Sequence, residues 1–122
     1  MKLKVINEAF SVCKIEDINK VNFEDSFCFV GKTDEELSLV CATKFAPSET
    51  IEREDGWRGF RIEGVLDFSL IGILSKLSTI LAEEQIGIFA ISTFNTDYLL
   101  TKEENFEKAL KALEARGYEV VR

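Results

Sequence analysis

The chain contains no histidine. That absence removes Ser-His-Asp and Cys-His catalysis, imidazole general bases and His-based zinc sites together. Its three cysteines are odd in number and lack any C-x-x-C spacing, so they cannot pair fully. Cys13, Cys28 and Cys41 each fall inside an apolar stretch, which suits small buried hydrophobes in a reducing compartment. One proline and seven glycines leave little room for flexible linkers. No apolar run approaches the length of a membrane span. Met1-Lys2-Leu3-Lys4 leads into strand-like alternation rather than the hydrophobic region of a signal peptide. The expectation is a cytoplasmic protein that neither spans nor binds a membrane.

What is present is acidic and apolar. The 22 acidic and 15 basic residues give a net charge of −7. Such a surface repels a phosphate backbone, so nucleic acid is not an expected partner. The 46% hydrophobic content, with ten Phe, argues for a folded core within 122 residues.

The chain also repeats itself in order. Phe10-Ser11-Val12-Cys13-Lys14-Ile15-Glu16-Asp17 recurs as Phe60-Arg61-Ile62-Glu63-Gly64-Val65-Leu66-Asp67. Lys32-Thr33-Asp34 echoes Asn95-Thr96-Asp97, Thr43-Lys44 answers Thr101-Lys102, and Gly56-Trp57 answers Gly117-Tyr118. Ordered self-similarity points to a duplicated unit. Paired small units create seams, where small ligands prefer to bind.

Leu3 to Ile15 reads as one long strand or as two pieces broken near Asn7-Glu8. Two strands, 27–30 and 37–41, flank a polar turn. Residues 46–56, with Pro47 and the charged run Glu52-Arg53-Glu54-Asp55, read as loop. Strand character resumes at Trp57. Leu70, Ile73, Leu74, Leu77, Ile80 and Leu81 recur at helical spacing, with Asp67 or Ser69 as the cap. Ile86 to Ile91 and Asp97 to Thr101 read as strands joined by a turn. Thr101 and Glu104 have capping-box spacing ahead of the apolar face Phe106, Ala109, Leu110 and Leu113. Gly117 ends that helix and a closing strand comes after it. From Trp57 onward the order is β-α-β-β-α-β, the ferredoxin-like split unit. The expected fold class is therefore α+β, with residues 57–122 a complete unit and residues 1–56 a trimmed copy that cannot fold alone.

Leu66-Asp67-Phe68-Ser69-Leu70-Ile71-Gly72, followed by Ile91-Ser92-Thr93-Phe94-Asn95-Thr96-Asp97-Tyr98-Leu99-Leu100, resembles tandem ACT-domain proteins. The likeness extends to small bacterial double-ACT proteins and to the ACT units of the eukaryotic CASTOR arginine sensors. It is strong over 57–122 and weaker, though collinear, over 8–56. It implies binding of an amino acid or related effector at the seam between paired ACT units.

The residues themselves are suited to that task. A helix start near Leu66 and Asp67 offers free amides and partial positive charge to a carboxylate. Gly72 permits close backbone approach. Asp97 is suited to an ammonium or basic group. Thr93 and Thr96 carry hydroxyls, and Phe94 an apolar or cation-facing ring. Each also has a structural alternative: Asp67 as a plain helix cap, Thr96 and Asp97 as turn stabilisers, Gly72 in packing, Phe94 as exposed turn.

The expected function is a non-catalytic regulatory module, homodimeric at least, that binds an amino acid and needs no cofactor or metal. The alternative is an assembly module without a working ligand site.

Overall fold

The computed structural model describes residues 1–63 and 72–122. Among the described residues, seven strands and two helices run in the order β1 (Lys2–Lys14), β2 (Cys28–Lys32), β3 (Leu37–Ala42), β4 (Glu52–Glu63), α1 (Ile73–Glu83), β5 (Phe89–Ser92), β6 (Asp97–Lys102), α2 (Glu103–Ala115) and β7 (Glu119–Val121). Single 3-10 turns lie at Ile18–Lys20 and Thr43–Phe45.

Contacts group the chain into two compact units: Met1–Asn7 with Arg58–Arg122, and Glu8–Trp57. A single cut after residue 56 therefore does not describe the grouping, because the first seven residues belong with the last 65. β1 is one unbroken strand, yet its allegiance changes at Asn7/Glu8, the point where its sequence suggested a break.

In the larger unit the strand order is β7-β1-β4-β6-β5. The start of β1 runs parallel to β7, with Lys2, Leu3 and Lys4 opposite Glu119, Val120 and Val121. Alternation sends Leu3 and Val5 of β1, Phe60 and Ile62 of β4, and Leu99 of β6 into one core. The helices close that core with Leu77, Ile80 and Leu81 from α1 and Phe106, Ala109, Leu110 and Leu113 from α2. These are positions three and four apart on each helix, the spacing that forms one apolar face.

Both helices end in Schellman motifs. After α2 the amide of Tyr118 bonds Leu113 O and that of Gly117 bonds Glu114 O, with Gly117 at φ 96°. After α1 the amide of Ile86 bonds Leu81 O, and the left-handed position is held by Gln85 at φ 61°. The α2 start departs from expectation. Thr101 belongs to β6, is fully buried and donates to Lys102 O, so no capping box forms. Lys102 occupies the cap position and its side chain does not cap the helix, while Glu103 and Glu104 still face the positive end of the helix.

The smaller unit has the strand order β2-β3-β1-β4. Cys13, Ile15, Val21, Leu39 and Cys41 form its core. The buried Asp25 carboxylate accepts from the amides of Phe27 and Ala42, closing the end of the β2–β3 ladder. The run Glu52-Arg53-Glu54-Asp55 is exposed strand, not loop. Backbone pairing beside β1 holds it, and side chains two apart share a face, which places Arg53 Nε 2.8 Å from Asp55 Oδ1. Asp55 in turn accepts from the buried hydroxyl of Ser11, which lies 2.9 Å from that of Thr43.

Burial and backbone angle set the expected effect of three changes. Leu3→Ala should cost about 2–5 kcal/mol in denaturant unfolding, as for other fully buried leucines. For the same reason a fragment of residues 58–122 should give no dispersed NMR spectrum, since it lacks the strand that supplies Leu3 and Val5. Gln85→Gly should raise stability by about 1 kcal/mol, read as a higher denaturation midpoint, because glycine adopts the left-handed conformation without a Cβ penalty.

Candidate functional site

The β5–β6 hairpin brings together four of the seven residues expected to bind ligand. β5 and β6 pair antiparallel, with Ser92 opposite Asp97 as the last pair. The turn closes with Thr93 N–H donating to Thr96 O at 2.9 Å, and the Thr93 hydroxyl donates to the same carbonyl at 2.9 Å. Thr96 turns its hydroxyl inward to Ile62 O at 2.7 Å. That bond ties the hairpin to the end of β4, the strand that runs into residues 64–71. Asp97 Oδ1 accepts from the Ser92 hydroxyl. Phe94 stands at the tip, 88% exposed.

Gly72 lies at the start of α1, with φ 85° and its carbonyl accepting the Lys76 amide at 2.9 Å. A Cβ added there would meet nothing within 4 Å, so its backbone angle, not crowding by the described residues, is what calls for glycine. No side chain among the described residues caps the α1 amides at this position. Leu66 and Asp67, together with the Ser69 cap, lie outside the described residues.

Arg61 was not singled out by motif. It sits on β4 beside Ile62 and donates from Nε to Glu63 Oε2 at 3.1 Å. Its bonds to Glu63 and then Tyr98 hold the guanidinium firmly protonated. A strand position of alternating parity was the only sequence signal for it.

The smaller unit carries a hairpin of the same construction. Thr33 N–H donates to Glu36 O at 2.9 Å, and the Thr33 hydroxyl accepts from the amides of Glu35 and Glu36. The strands after the two turns, Leu37–Ala42 and Asp97–Lys102, are each six residues long and share their burial pattern over the first five positions. The 3-10 turn at Thr43 then occupies the place of α2 at Glu103. Thr33 and Thr93, Leu37 and Asp97, and Thr43 and Glu103 are all 60 apart. Sequence identity had matched Thr33 to Thr96 instead. The geometry corrects this, because the capping hydroxyl must open the turn.

A cavity of about 530 Å³ also opens in the smaller unit, lined by Ile15, Glu16, Asp17, Lys20, Glu49, Thr50 and Ile51. Ile51 N–H donates to Lys14 O at 2.8 Å and fixes one wall. Three carboxylates against one ammonium make its lining acidic. None of the seven expected ligand residues lines it.

The ACT-domain family profile matches residues 52–115, more than half of the chain. The chain belongs to the ACT-domain family. ACT domains are regulatory modules that bind small molecules. A crystal structure of a protein from Agobacterium tumefaciens is 30% identical, with a TM-score of 0.88 over 98% of this chain and 91% of that one. The ligand-free regulatory subunit of aspartate kinase from Thermus thermophilus shares the fold, with a TM-score of 0.65 at 14% identity over 93% of this chain and 95% of that one. Aspartate kinase of Clostridium acetobutylicum does so at a TM-score of 0.66 and 18% identity, over 85% of this chain and 32% of the larger one. No curated protein matches the chain significantly in sequence. No described helix of this ACT protein is long and apolar enough to cross a membrane.

The buried Thr96 hydroxyl gives a direct test of the hairpin. Thr96→Val keeps the shape but leaves Ile62 O without this donor. It should cost about 1–3 kcal/mol, measured by denaturant unfolding, with loss of hydrogen-exchange protection at the hairpin.

Proposed function

We propose that the chain is a non-catalytic regulatory module that binds an α-amino acid at a seam between paired ACT units. Membership of the ACT family carries this reading. The ligand carboxylate is assigned to the amides of Leu66, Asp67 and Gly72, which precede α1 in sequence. The ligand ammonium is assigned to Asp97, with Thr93, Thr96 and Phe94 around it. The net charge of −7 favours basic or neutral side chains over Asp or Glu. The repeated Thr-opened hairpin supports a tandem origin for the two units, with Glu8–Trp57 the trimmed copy. A homodimer and a cytoplasmic setting complete the proposal.

One observation favours the second reading, an assembly module without a ligand site. The Thr93 and Thr96 hydroxyls and the Asp97 carboxylate all have partners inside the fold. A ligand must therefore compete with Ser92 for Asp97, or use that carboxylate's other oxygen.

Calorimetric titration with the twenty amino acids separates the two readings. Saturable binding of a basic or neutral amino acid is expected. Asp97→Ala should weaken it by roughly ten- to a hundred-fold, since a charge-assisted bond contributes about 1.5–3 kcal/mol. Unchanged affinity in that variant would make Asp97 a turn residue. No binding by the folded protein at millimolar ligand would favour assembly.

A further inference from the structure

The three free cysteines all lie in the smaller unit, on strands β1, β2 and β3. β3 stands between β2 and β1, and its hydrogen-bonding phase is fixed from both sides. Toward β2, the bond from Thr33 N–H to Glu36 O makes those two residues a hydrogen-bonded pair. Antiparallel pairs alternate between bonded and non-bonded. Stepping along the register from there, Lys32–Leu37, Val30–Leu39 and Cys28–Cys41 are non-hydrogen-bonded pairs. Toward β1, the bond from Ile15 N–H to Leu37 O gives the same phase, with Leu37, Leu39 and Cys41 directing their backbone groups to β1.

Residues in a non-hydrogen-bonded pair have Cα atoms about 4.5 Å apart and side chains on one face. Disulfides bridge Cα separations of about 4.4–6.8 Å. Cys13 is placed differently. It lies opposite Leu39, while Cys41 lies opposite Ser11, so Cys13 and Cys41 are diagonal neighbours. Diagonal pairs are about 7–8 Å apart, outside that range. Among the described residues no set of three or more His, Cys, Asp or Glu side chains is placed to hold a metal ion, so a thiolate metal site is not the reading.

We propose that Cys28 and Cys41 form a reversible cross-strand disulfide that pins β2 to β3, with Cys28 the sulfur that first meets a small-molecule disulfide from solution. Cys28 is half-buried, whereas Cys41 and Cys13 are each 2% exposed. The Cys28 thiolate attacks one sulfur of the small disulfide, breaking its S–S bond and releasing one small thiolate. Cys41 then loses its proton to solvent and attacks the Cys28 sulfur. The protein S–S bond forms as the mixed disulfide breaks, and the second small thiolate leaves and takes up a proton. Two protein thiols are oxidised and one small disulfide is reduced to two thiols. Excess small thiol reverses both steps.

Burial, then the neighbouring Cys13, pushes the Cys41 thiol up to about 12 from 9.0. That leaves about a thousandfold less thiolate at neutral pH than an ordinary thiol would have. Attack from the adjacent strand is intramolecular, and well-oriented intramolecular reactions reach effective molarities of about 10⁵ M or more. The second effect outweighs the first, so closure proceeds once Cys28 carries the mixed disulfide.

Lys4, Lys14, Lys20, Lys32 and Lys44 put each cysteine in its own tryptic peptide, 5–14, 21–32 and 33–44. The folded full chain is incubated with oxidised glutathione, alkylated, digested without reductant and mapped by mass spectrometry. Peptide 21–32 joined to 33–44, with Cys13 alkylated, is expected, and dithiothreitol before alkylation should abolish the link. A bond to Cys13, a persistent glutathione adduct on Cys28 beside alkylated Cys41, or three alkylated cysteines would overturn the proposal. Cys41→Ser should halt at the Cys28 adduct. A folded Cys41→Ser protein without that adduct would overturn the entry role of Cys28, and the map of the unsubstituted chain decides alone where the variant does not fold.

Discussion

One strand supplies two cores. Odd-numbered side chains of β1 enter the larger unit at Leu3 and Val5 and the smaller unit at Cys13, with Ile15 just past the strand's end joining the latter core. The backbone continues through Asn7 and Glu8 without interruption. The larger unit is therefore not one continuous segment of sequence, whereas the smaller one, Glu8–Trp57, is. The larger one borrows its seven-residue start from the far end of the chain, and its helices pack over a core that includes those borrowed residues. Loop-closure cost grows slowly with length, so a distant strand is a cheap contributor once its apolar side chains have a place to bury.

The same economy of parts appears in the hairpins. A threonine that opens the turn satisfies its own backbone and its neighbours, and it does so at both Thr33 and Thr93. The elements beyond the two hairpins differ. At the Thr43 position the chain makes one 3-10 turn, whereas at Glu103 it makes a helix of 13 residues. The helix has an apolar face to bury, and the turn does not. The interior of the smaller unit combines Ile15, Val21 and Leu39 with two buried thiols, a buried carboxylate and the Ser11, Thr43 and Asp55 cluster. Among the described residues, the outcome is an ACT fold with two helices on one unit and short turns on the other.

Features with a local physical cause were legible in the sequence. α2 could be read through to its C-terminal end because Phe106, Ala109, Leu110 and Leu113 repeat at helical spacing and Gly117 must be left-handed. Features decided by a distant partner were not. Alternation in Leu3 to Ile15 marks a strand but does not say which core each half enters. The charged Glu52 to Asp55 segment looks like loop, and only its place beside β1 makes it strand. Thr101 has capping-box spacing, yet burial in β6 takes its side chain elsewhere. At the candidate site the hairpin residues were found together, but sequence cannot show that Thr96 reaches Ile62 or that Ser92 reaches Asp97. Arg61 carried no motif at all.

Amide chemical shifts measured by NMR during amino-acid titration test the account most directly. The isotope-labelled full chain is titrated separately with lysine, leucine and glutamate. The proposed site predicts saturable movement of the amides of 64–72 and 92–97, with lysine or leucine effective at lower concentration than glutamate. Shifts that stay fixed at millimolar ligand in a folded protein, or that cluster only around the acidic cavity of Glu16, Asp17 and Glu49, would contradict it.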